Sequence, residues 1–214
     1  MRTLRLLTLP AVATLVLSAC TSEDPAGETP TTDDSVVTSD DGLEGSAPTD
    51  GWFCRYVAPD AVDAAVGGTA ETPRELVVQD DEEGWACEVL TGGKGEQEPV
   101  LRVSILIGEE ARAEARSRAE AADGVRPGPE FLGLSFVSPG LVTGLTSCMA
   151  PGATNRADQA PYTLIAEQLS GEVDEATTAN LRAALSGAAQ SLDKALGCAP
   201  RQALKDQAAA TTAP

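Results

Sequence analysis

Residues 97–123, QEPVLRVSILIGEEARAEARSRAEAAD, decide the fold class because two different sequence periodicities meet in them at Gly108. Residues 97–108 are rich in Val, Ile and Leu and are predicted to form a long strand. Residues 109–123 are predicted to form a helix with a stripe of small side chains, which would let it lie close against a sheet. That stripe consists of Ala111, Ala115, Ala119 and Ala122.

Two further helices are predicted on either side of this stretch. Residues 58–66 place Pro59 at the first helical position and are followed by Gly67. Residues 172–196 form the longest predicted helix, which Gly197 should end. The predicted buried stripe of this helix consists of Thr177, Leu181, Leu185, Ala188, Leu192 and Leu196.

Five more strands are predicted from short apolar segments bounded by turn residues. They cover residues 75–79, 84–91, 130–138, 141–149 and 161–169. The resulting order is helix, three strands, helix, three strands, helix. Strands joined by short turns favour antiparallel pairing, so we expect a two-layer α+β domain in which the helices cover one face of an antiparallel sheet.

The N-terminus has the features of an export signal. A basic start precedes an apolar run over residues 6–17, which is too short to span a bilayer as a mature helix. The run ends in Leu17-Ser18-Ala19-Cys20, which resembles the lipobox of bacterial lipoproteins. The resemblance implies that Cys20 receives diacylglycerol and holds the protein at the extracytoplasmic face of the cell membrane. The alternative is an ordinary secretory signal in which Cys20 is incidental.

The domain organisation follows from changes in composition. Residues 1–19 are the predicted lipoprotein signal peptide. Residues 20–50 contain many acids and no base and bury almost nothing, so we expect a lipidated, disordered acidic tether. Residues 51–200 are expected to form a single α+β domain, and residues 201–214 a polar, Ala-rich C-terminal tail.

Four cysteines remain after Cys20, and an even number in an exported protein predicts disulfides. Sequence alone allows three pairings of Cys54, Cys87, Cys148 and Cys198. We favour Cys54–Cys87 and Cys148–Cys198, because each of these pairs would close one unit of helix and strands.

The first half of the domain resembles small actinobacterial lipoproteins of unknown function, in particular the DUF3558-like group. The matching residues are Cys54, the helix start Pro59-Asp60-Ala61-Val62, Gly67 and Trp85-Ala86-Cys87. The two-disulfide α+β plan is also similar to extracellular sensor domains of actinobacterial receptor kinases. Neither resemblance implies a catalytic residue in this chain.

The composition of the chain argues against several classes of function. The chain has 33 acids against 15 bases and a formal net charge of −18, which excludes nucleic acid as a partner on electrostatic grounds. It contains no His, the commonest general base and metal ligand. No cofactor or metal site is therefore predicted. Calcium binding at the acidic turn of residues 80–83 is an alternative, but the turn lacks the spaced ligand pattern of a calcium loop.

A non-enzymatic binding domain is the leading functional hypothesis, with an envelope protein, a glycan or a small apolar molecule as ligand. The alternative is an envelope serine hydrolase or penicillin-interacting enzyme. Ser191 and Lys194 have the SxxK spacing of such enzymes, although the supporting KTG and SDN motifs are missing. Trp52, Phe53 and Tyr56 are expected to pack in the core beside Cys54 rather than to form a ligand platform.

Overall fold

The computed structural model describes residues 45–48, 50–93, 96–155 and 157–199. In this part of the chain it has three α-helices, which are α1 (Pro59–Ala65), α2 (Glu109–Glu120) and α3 (Glu175–Leu196). A short 3₁₀ helix covers Glu130–Leu132. The strands are β1 (Arg74–Asp81), β2 (Gly84–Thr91), β3 (Glu98–Ile107), β4 (Arg126–Pro127), β5 (Leu134–Ser138), β6 (Leu141–Met149) and β7 (Gln159–Gln168).

The seven strands form one sheet in the order β1-β2-β3-β7-β6-β5-β4, and all neighbours are antiparallel. Two meanders, β1 to β3 and β5 to β7, meet where β3 pairs with β7. The α+β class, the antiparallel sheet and the predicted order of the helices are therefore confirmed.

The helices lie on both faces of the sheet, so the expectation that one face carries all of them is wrong. Leu164 and Ala166 of β7 belong to the core beneath α1 and α3, whereas Ile165 packs with Ala115 of α2. Successive residues of a strand point to opposite faces, so α2 lies on the other face from α1 and α3. A small-residue stripe predicts a close contact with a sheet, but it does not indicate which face.

The core beneath α1 and α3 is the larger of the two. In α3, Leu181, Leu185 and Ala188 are buried, as the stripe predicted. The helix begins one turn later than residue 172, because the side chain of Asp174 accepts a hydrogen bond from Thr177 N at 2.6 Å and caps it. It ends where predicted, at Gly197 in the left-handed conformation.

The predicted strand 130–138 is only partly correct. Its first residues form the 3₁₀ helix, and Gly133 at φ 78° separates them from β5. Pro129 lacks the backbone N–H that a strand ladder would use. The two-residue strand β4, which pairs with β5, had no sequence signal.

Both favoured disulfides are confirmed, Cys54–Cys87 and Cys148–Cys198. The first joins the segment before α1 to β2, and the second joins the end of α3 to β6. In the entropic model of disulfide stabilisation, closing loops of 33 and 50 residues constrains the unfolded chain by about 4 kcal/mol each.

The folded part of the chain includes residues of the segment 20–50, which was predicted to be a tether. Ser46 exchanges two backbone hydrogen bonds of 2.8 Å with Glu75 of β1, and Arg74 donates to the carbonyl of Gly45 at 3.1 Å. Residues 1–44 lie outside the described residues, and they include the proposed signal peptide, Cys20 and most of the proposed tether. The 201–214 tail also lies outside them. Within the described ranges, no helix combines the length and apolar character that a membrane crossing needs.

Candidate functional site

A groove with a volume of about 1080 Å³ lies between α3 and the segment that precedes α1. Residues before and at the start of α1, the first residues of β2 and one side of α3 line it. The strand β1 contributes Glu75 and Val77. The Cys54–Cys87 disulfide joins two of these lining segments, the one before α1 and β2.

A tight turn forms one wall of the groove. Phe53 and Val57 exchange backbone hydrogen bonds of 2.9 and 2.8 Å across this turn. Between them, Cys54 and Arg55 have φ angles of 49° and 64°, a left-handed conformation that costs a residue with a side chain about 1 kcal/mol. The turn is held in place by the disulfide and by Cys54 N, which donates to Glu75 Oε2 at 2.6 Å.

Three aromatic rings and one cation line the groove: Tyr56 and Arg55 belong to the turn, Trp52 precedes it, and Trp85 lies on β2. Tyr56 meets Trp85 edge-on, with 6.1 Å between ring centroids, and the Arg55 guanidinium lies 5.6 Å from the Trp85 ring. Trp52 also lines the groove, and 51% of its surface is exposed. The chain has only two tryptophans, and both therefore line the same groove.

The expectation that these aromatic residues pack in the core is correct for Phe53, correct in part for Tyr56, which packs against the core, and wrong for Trp52. Phe53 is buried beside the disulfide, whereas Tyr56 is half-buried and Trp52 is exposed. A short aromatic cluster next to a cysteine does not by itself reveal which ring faces inward. The positive φ angles of Cys54 and Arg55 also had no signal in the sequence.

The opposite wall is one side of α3, which presents small and polar groups. Gly187 lies next to the ring of Tyr56, and a Cβ added there would be in van der Waals contact with Tyr56 Cδ1 at 3.4 Å. Asn180 and Gln190 contribute amide groups to the lining. Aromatic rings therefore face amide and hydroxyl groups across the groove.

The charge of the lining is mixed and slightly acidic. The carboxylates of Asp50, Asp60 and Glu75 line it together with the cations of Arg55 and Lys194. A polyanion would meet both these carboxylates and the net charge of −18 on the chain. The lining therefore disfavours a polyanionic ligand.

Ser191 and Lys194, the predicted SxxK pair, lie on the α3 wall of this groove. Both side chains are exposed, and neither takes part in a hydrogen bond or an ion pair among the described residues. A serine nucleophile needs a base within hydrogen-bond reach. The structure places the pair beside a groove without joining serine to lysine.

Two groups of potential metal ligands have other roles in the fold. Cys54, Glu75 and Cys87 cluster closely, but both sulfurs are joined in the disulfide and cannot bind as thiolates. In the acidic turn, Asp81 accepts hydrogen bonds from the Gln79 side chain and from the backbone of Glu83 and Gly84. The bond from Gln79 contributes most to a lowered pKa of Asp81.

An ion-pair network on the α2 face was missed by the sequence analysis. The buried carboxylate of Glu88 binds Arg102, with Arg102 Nε at 2.9 Å from Oε1. Arg102 Nη1 also lies 3.7 Å from Oε1 of buried Glu167, whose other oxygen binds Arg118 of α2. The network thus connects β2, β3 and β7 to α2.

Comparisons with known proteins do not identify a function for this groove. No protein-family model matches the chain, and no significant match was found among curated proteins or solved structures.

Proposed function

We propose that the protein is a lipid-anchored lipoprotein of the cell envelope whose domain binds a neutral glycan in the groove beside α3, without catalysis. The observation that carries the binding proposal is the convergence of both tryptophans on one groove. Ligand sites combine apolar and aromatic walls with a few polar groups that fix orientation.

A sugar ring fits this combination of groups. Its C–H face is apolar and stacks on an indole or phenol ring, while its hydroxyls form hydrogen bonds at the edge. Trp52 offers an exposed aromatic face, and the amides of Asn180 and Gln190 offer both donors and acceptors from α3. The groove volume of about 1080 Å³ is at the upper end of small-ligand pockets, which suits several sugar units.

An extended peptide is a poorer fit. Peptides that add to a sheet need an edge strand with free backbone groups. At the groove, Glu75 of the edge strand β1 already exchanges both backbone hydrogen bonds with Ser46. A glycan needs side chains rather than a free strand edge, and the groove is lined by side chains.

Tryptophan fluorescence tests the proposal directly, because both fluorophores line the groove. Titration with a tetramer of N-acetylglucosamine, and in parallel with soluble peptidoglycan fragments, should change the emission in a saturable way. Trp52→Ala should weaken binding at least tenfold, equivalent to about 1.4 kcal/mol. The remaining Trp85 still reports on binding in this variant.

Phe131→Ala is the matched control. Phe131 is 50% exposed, almost the same as Trp52, but does not line the groove. It should leave the affinity for the glycan unchanged. If no glycan in either set saturates the signal, or if both variants weaken binding equally, the glycan proposal fails.

The anchor is proposed from the basic start, the apolar run and the Leu17-Ser18-Ala19-Cys20 motif. The two disulfides support it, because disulfides persist in oxidising compartments outside the cytoplasm. Two acyl chains on Cys20 would be enough for stable anchoring. Cys20→Ala should release the protein into the medium, and continued membrane retention of this variant would contradict the anchor.

The hydrolase alternative is supported by the position of Ser191 and Lys194 on the groove wall. A fluorescent penicillin and a fluorophosphonate probe would label a reactive serine covalently. We expect no label on Ser191. Labelling that Ser191→Ala abolishes would replace the binding proposal with an enzymatic one.

A further inference from the structure

Glu75 of β1 holds the segment before α1 at two separate points. Its backbone N–H and carbonyl exchange two hydrogen bonds of 2.8 Å with Ser46. Its side chain reaches Cys54, whose backbone N–H donates to Glu75 Oε2 at 2.6 Å. One residue of the edge strand therefore bonds to both ends of residues 46–54, and we call this pair of contacts the Glu75 clamp.

The segment between the two contacts carries Trp52 to the groove. Trp52 lines the groove with 51% of its surface exposed, and Asp50 lines it as well. Among the described residues from Ala47 to Trp52, none forms a hydrogen bond or an ion pair of its own. The course of this part of the chain therefore depends on how its two ends are held.

The Ser46 end fits closely against β1. Gly45 is buried, and a Cβ added to it would lie 2.8 Å from the Glu75 carbonyl oxygen and 3.0 Å from Arg74 Cβ. The Arg74 guanidinium also donates to the Gly45 carbonyl at 3.1 Å. A side chain at position 45 would therefore push the Ser46 end away from the strand.

The two ends are not held equally. The disulfide to Cys87 and the buried ring of Phe53 help the Glu75 side chain to fix the Cys54 end. Among the described residues, the hydrogen bonds at the other end all come from β1. Freeing the Ser46 end would leave Trp52 on a segment that is held on one side only.

We propose that Glu75 is a positioning residue of the groove, which keeps Trp52 in place for the glycan by clamping residues 46–54 at both ends. The inference rests on the proposed glycan function and identifies what supports the aromatic wall. A wall that is ordered before binding loses less conformational entropy when the ligand binds. Gly45 and Ser46, which belong to the predicted tether, thereby support the site.

Gly45→Ala tests the clamp without changing the lining, because Gly45 does not line the groove. The added methyl group should displace the Ser46 end and weaken binding of the N-acetylglucosamine tetramer about fivefold, since Trp52 must then be ordered on binding. Gly68→Ala is the matched control, because a Cβ at this position meets nothing within 4 Å. It should leave the affinity unchanged.

Substitutions of Glu75 test the side-chain half of the clamp. Glu75→Ala removes the acceptor of the Cys54 N–H and should weaken binding of the tetramer. Glu75→Gln keeps a carbonyl acceptor and should retain most of the affinity. If Gln were as harmful as Ala, the charge of Glu75 and not its bond to Cys54 would matter, and the clamp would be rejected.

A measurement on the free protein separates failure of the clamp from failure of the glycan proposal. In ¹⁵N-labelled full-length protein without ligand, Gly45→Ala should move or broaden the indole N–H signal of Trp52 and leave the amide of Leu185 in α3 unchanged. Gly68→Ala should change neither signal.

If the original protein binds the tetramer, the proposal requires both the indole change and the loss of affinity in Gly45→Ala, and the absence of either overturns it. If the original protein binds no glycan, the glycan proposal itself fails. The Trp52 signal then still decides on the clamp, because a moved signal supports it and an unmoved one contradicts it.

Discussion

The two faces of the sheet are held to their helices by different forces. Beneath α1 and α3 the contacts are apolar, and this side also contains both disulfides and the groove. Beneath α2 the apolar cluster is small, and the buried carboxylates of Glu88 and Glu167 pair with two arginines. Both faces have open volume, which on the α2 face is about 430 Å³ beside the two arginines, but among the described residues only the α3 face has disulfide links.

This difference indicates where ligands can bind without disturbing the fold. The covalent links at Cys54–Cys87 and Cys148–Cys198 keep α3 and the strained turn in place around open volume. On the α2 face the carboxylates are already paired with arginine, and removing one partner of a buried pair is costly. We therefore propose that ligands bind on the α3 face and that the ion pairs of the α2 face have a structural role.

The largest effect is expected when the disulfide that ends α3 is removed. Cys148→Ala combined with Cys198→Ala should lower the free energy of unfolding by about 4 kcal/mol in the entropic model, measured by urea denaturation. Trp52 and Trp85 lie in the groove rather than at this disulfide, so the native emission spectrum should be unchanged.

The matched double variant, Cys54→Ala with Cys87→Ala, provides the contrast. It should lose a similar amount of stability, but it should also shift the native emission, because this disulfide holds the turn beside Trp85. If the two variants changed the native spectrum equally, the separate roles given to the disulfides would be wrong.

A smaller effect is expected on the α2 face. Glu167→Gln keeps the size of the side chain and removes its charge, and it should lower the free energy of unfolding by about 1–2 kcal/mol. Although Glu167 is buried, Arg118 and Arg102 are 53% and 39% exposed, so the loss should be less than for a fully buried pair.

Salt tests the electrostatic origin of this loss. The difference between Glu167→Gln and the original protein should shrink in 1 M salt, because screening weakens partly exposed pairs. Glu120→Gln is the control, since its pair with Arg116 is exposed on α2, and it should cost little at any salt concentration. An undiminished loss for Glu167→Gln would point to packing instead of charge.

The smallest effect is expected at the start of α3, and it should depend on pH. Hydrogen bonding from the Thr177 backbone lowers the pKa of Asp174 below the usual value of an aspartate side chain. The carboxylate therefore stabilises the fold above about pH 4, and this contribution is lost as the pH falls through the lowered pKa. Asp174→Ala should reduce the melting temperature at pH 7, and the reduction should fade in acid.

Asp174→Asn separates the stabilisation due to the capping hydrogen bond from the stabilisation due to the carboxylate charge. Asn also accepts the hydrogen bond at a helix N-terminus, so this variant should stay close to the original melting temperature at pH 7 and lose the acid dependence of the cap. A loss as large as that of Asp174→Ala would show that charge, and not the hydrogen bond, matters most here.

The sequence predicted those parts of the fold that depend on local pattern. The end of α3 at Gly197 follows from the left-handed preference of glycine, and the structure confirms it. The stripe of α3 follows from spacing and is confirmed from Thr177 to Ala188, whereas Leu192 and Leu196 are only partly buried. The face chosen by α2 was not predictable in this way, because Ala115 and Ala119 would pack equally well on either face. Buried Glu88 and Glu167 were missed because charges within a strand ordinarily indicate a solvent-exposed face.

The candidate sites were less predictable than the fold. The disulfide cysteines beside the groove were identified from their number and spacing, but the exposure of Trp52 and the positive φ angles of Cys54 and Arg55 were not predicted. Such features arise from tertiary packing, for which a single sequence carries no periodic signal.

Chemical-shift mapping with the N-acetylglucosamine tetramer tests most directly whether the α3 face is the binding face. We predict saturable shifts at the Trp52 and Trp85 indoles and at Gly187 and Gln190, with no shifts in α2. Shifts concentrated in α2, or none at any concentration of the tetramer, would contradict the assignment of this groove as a glycan site.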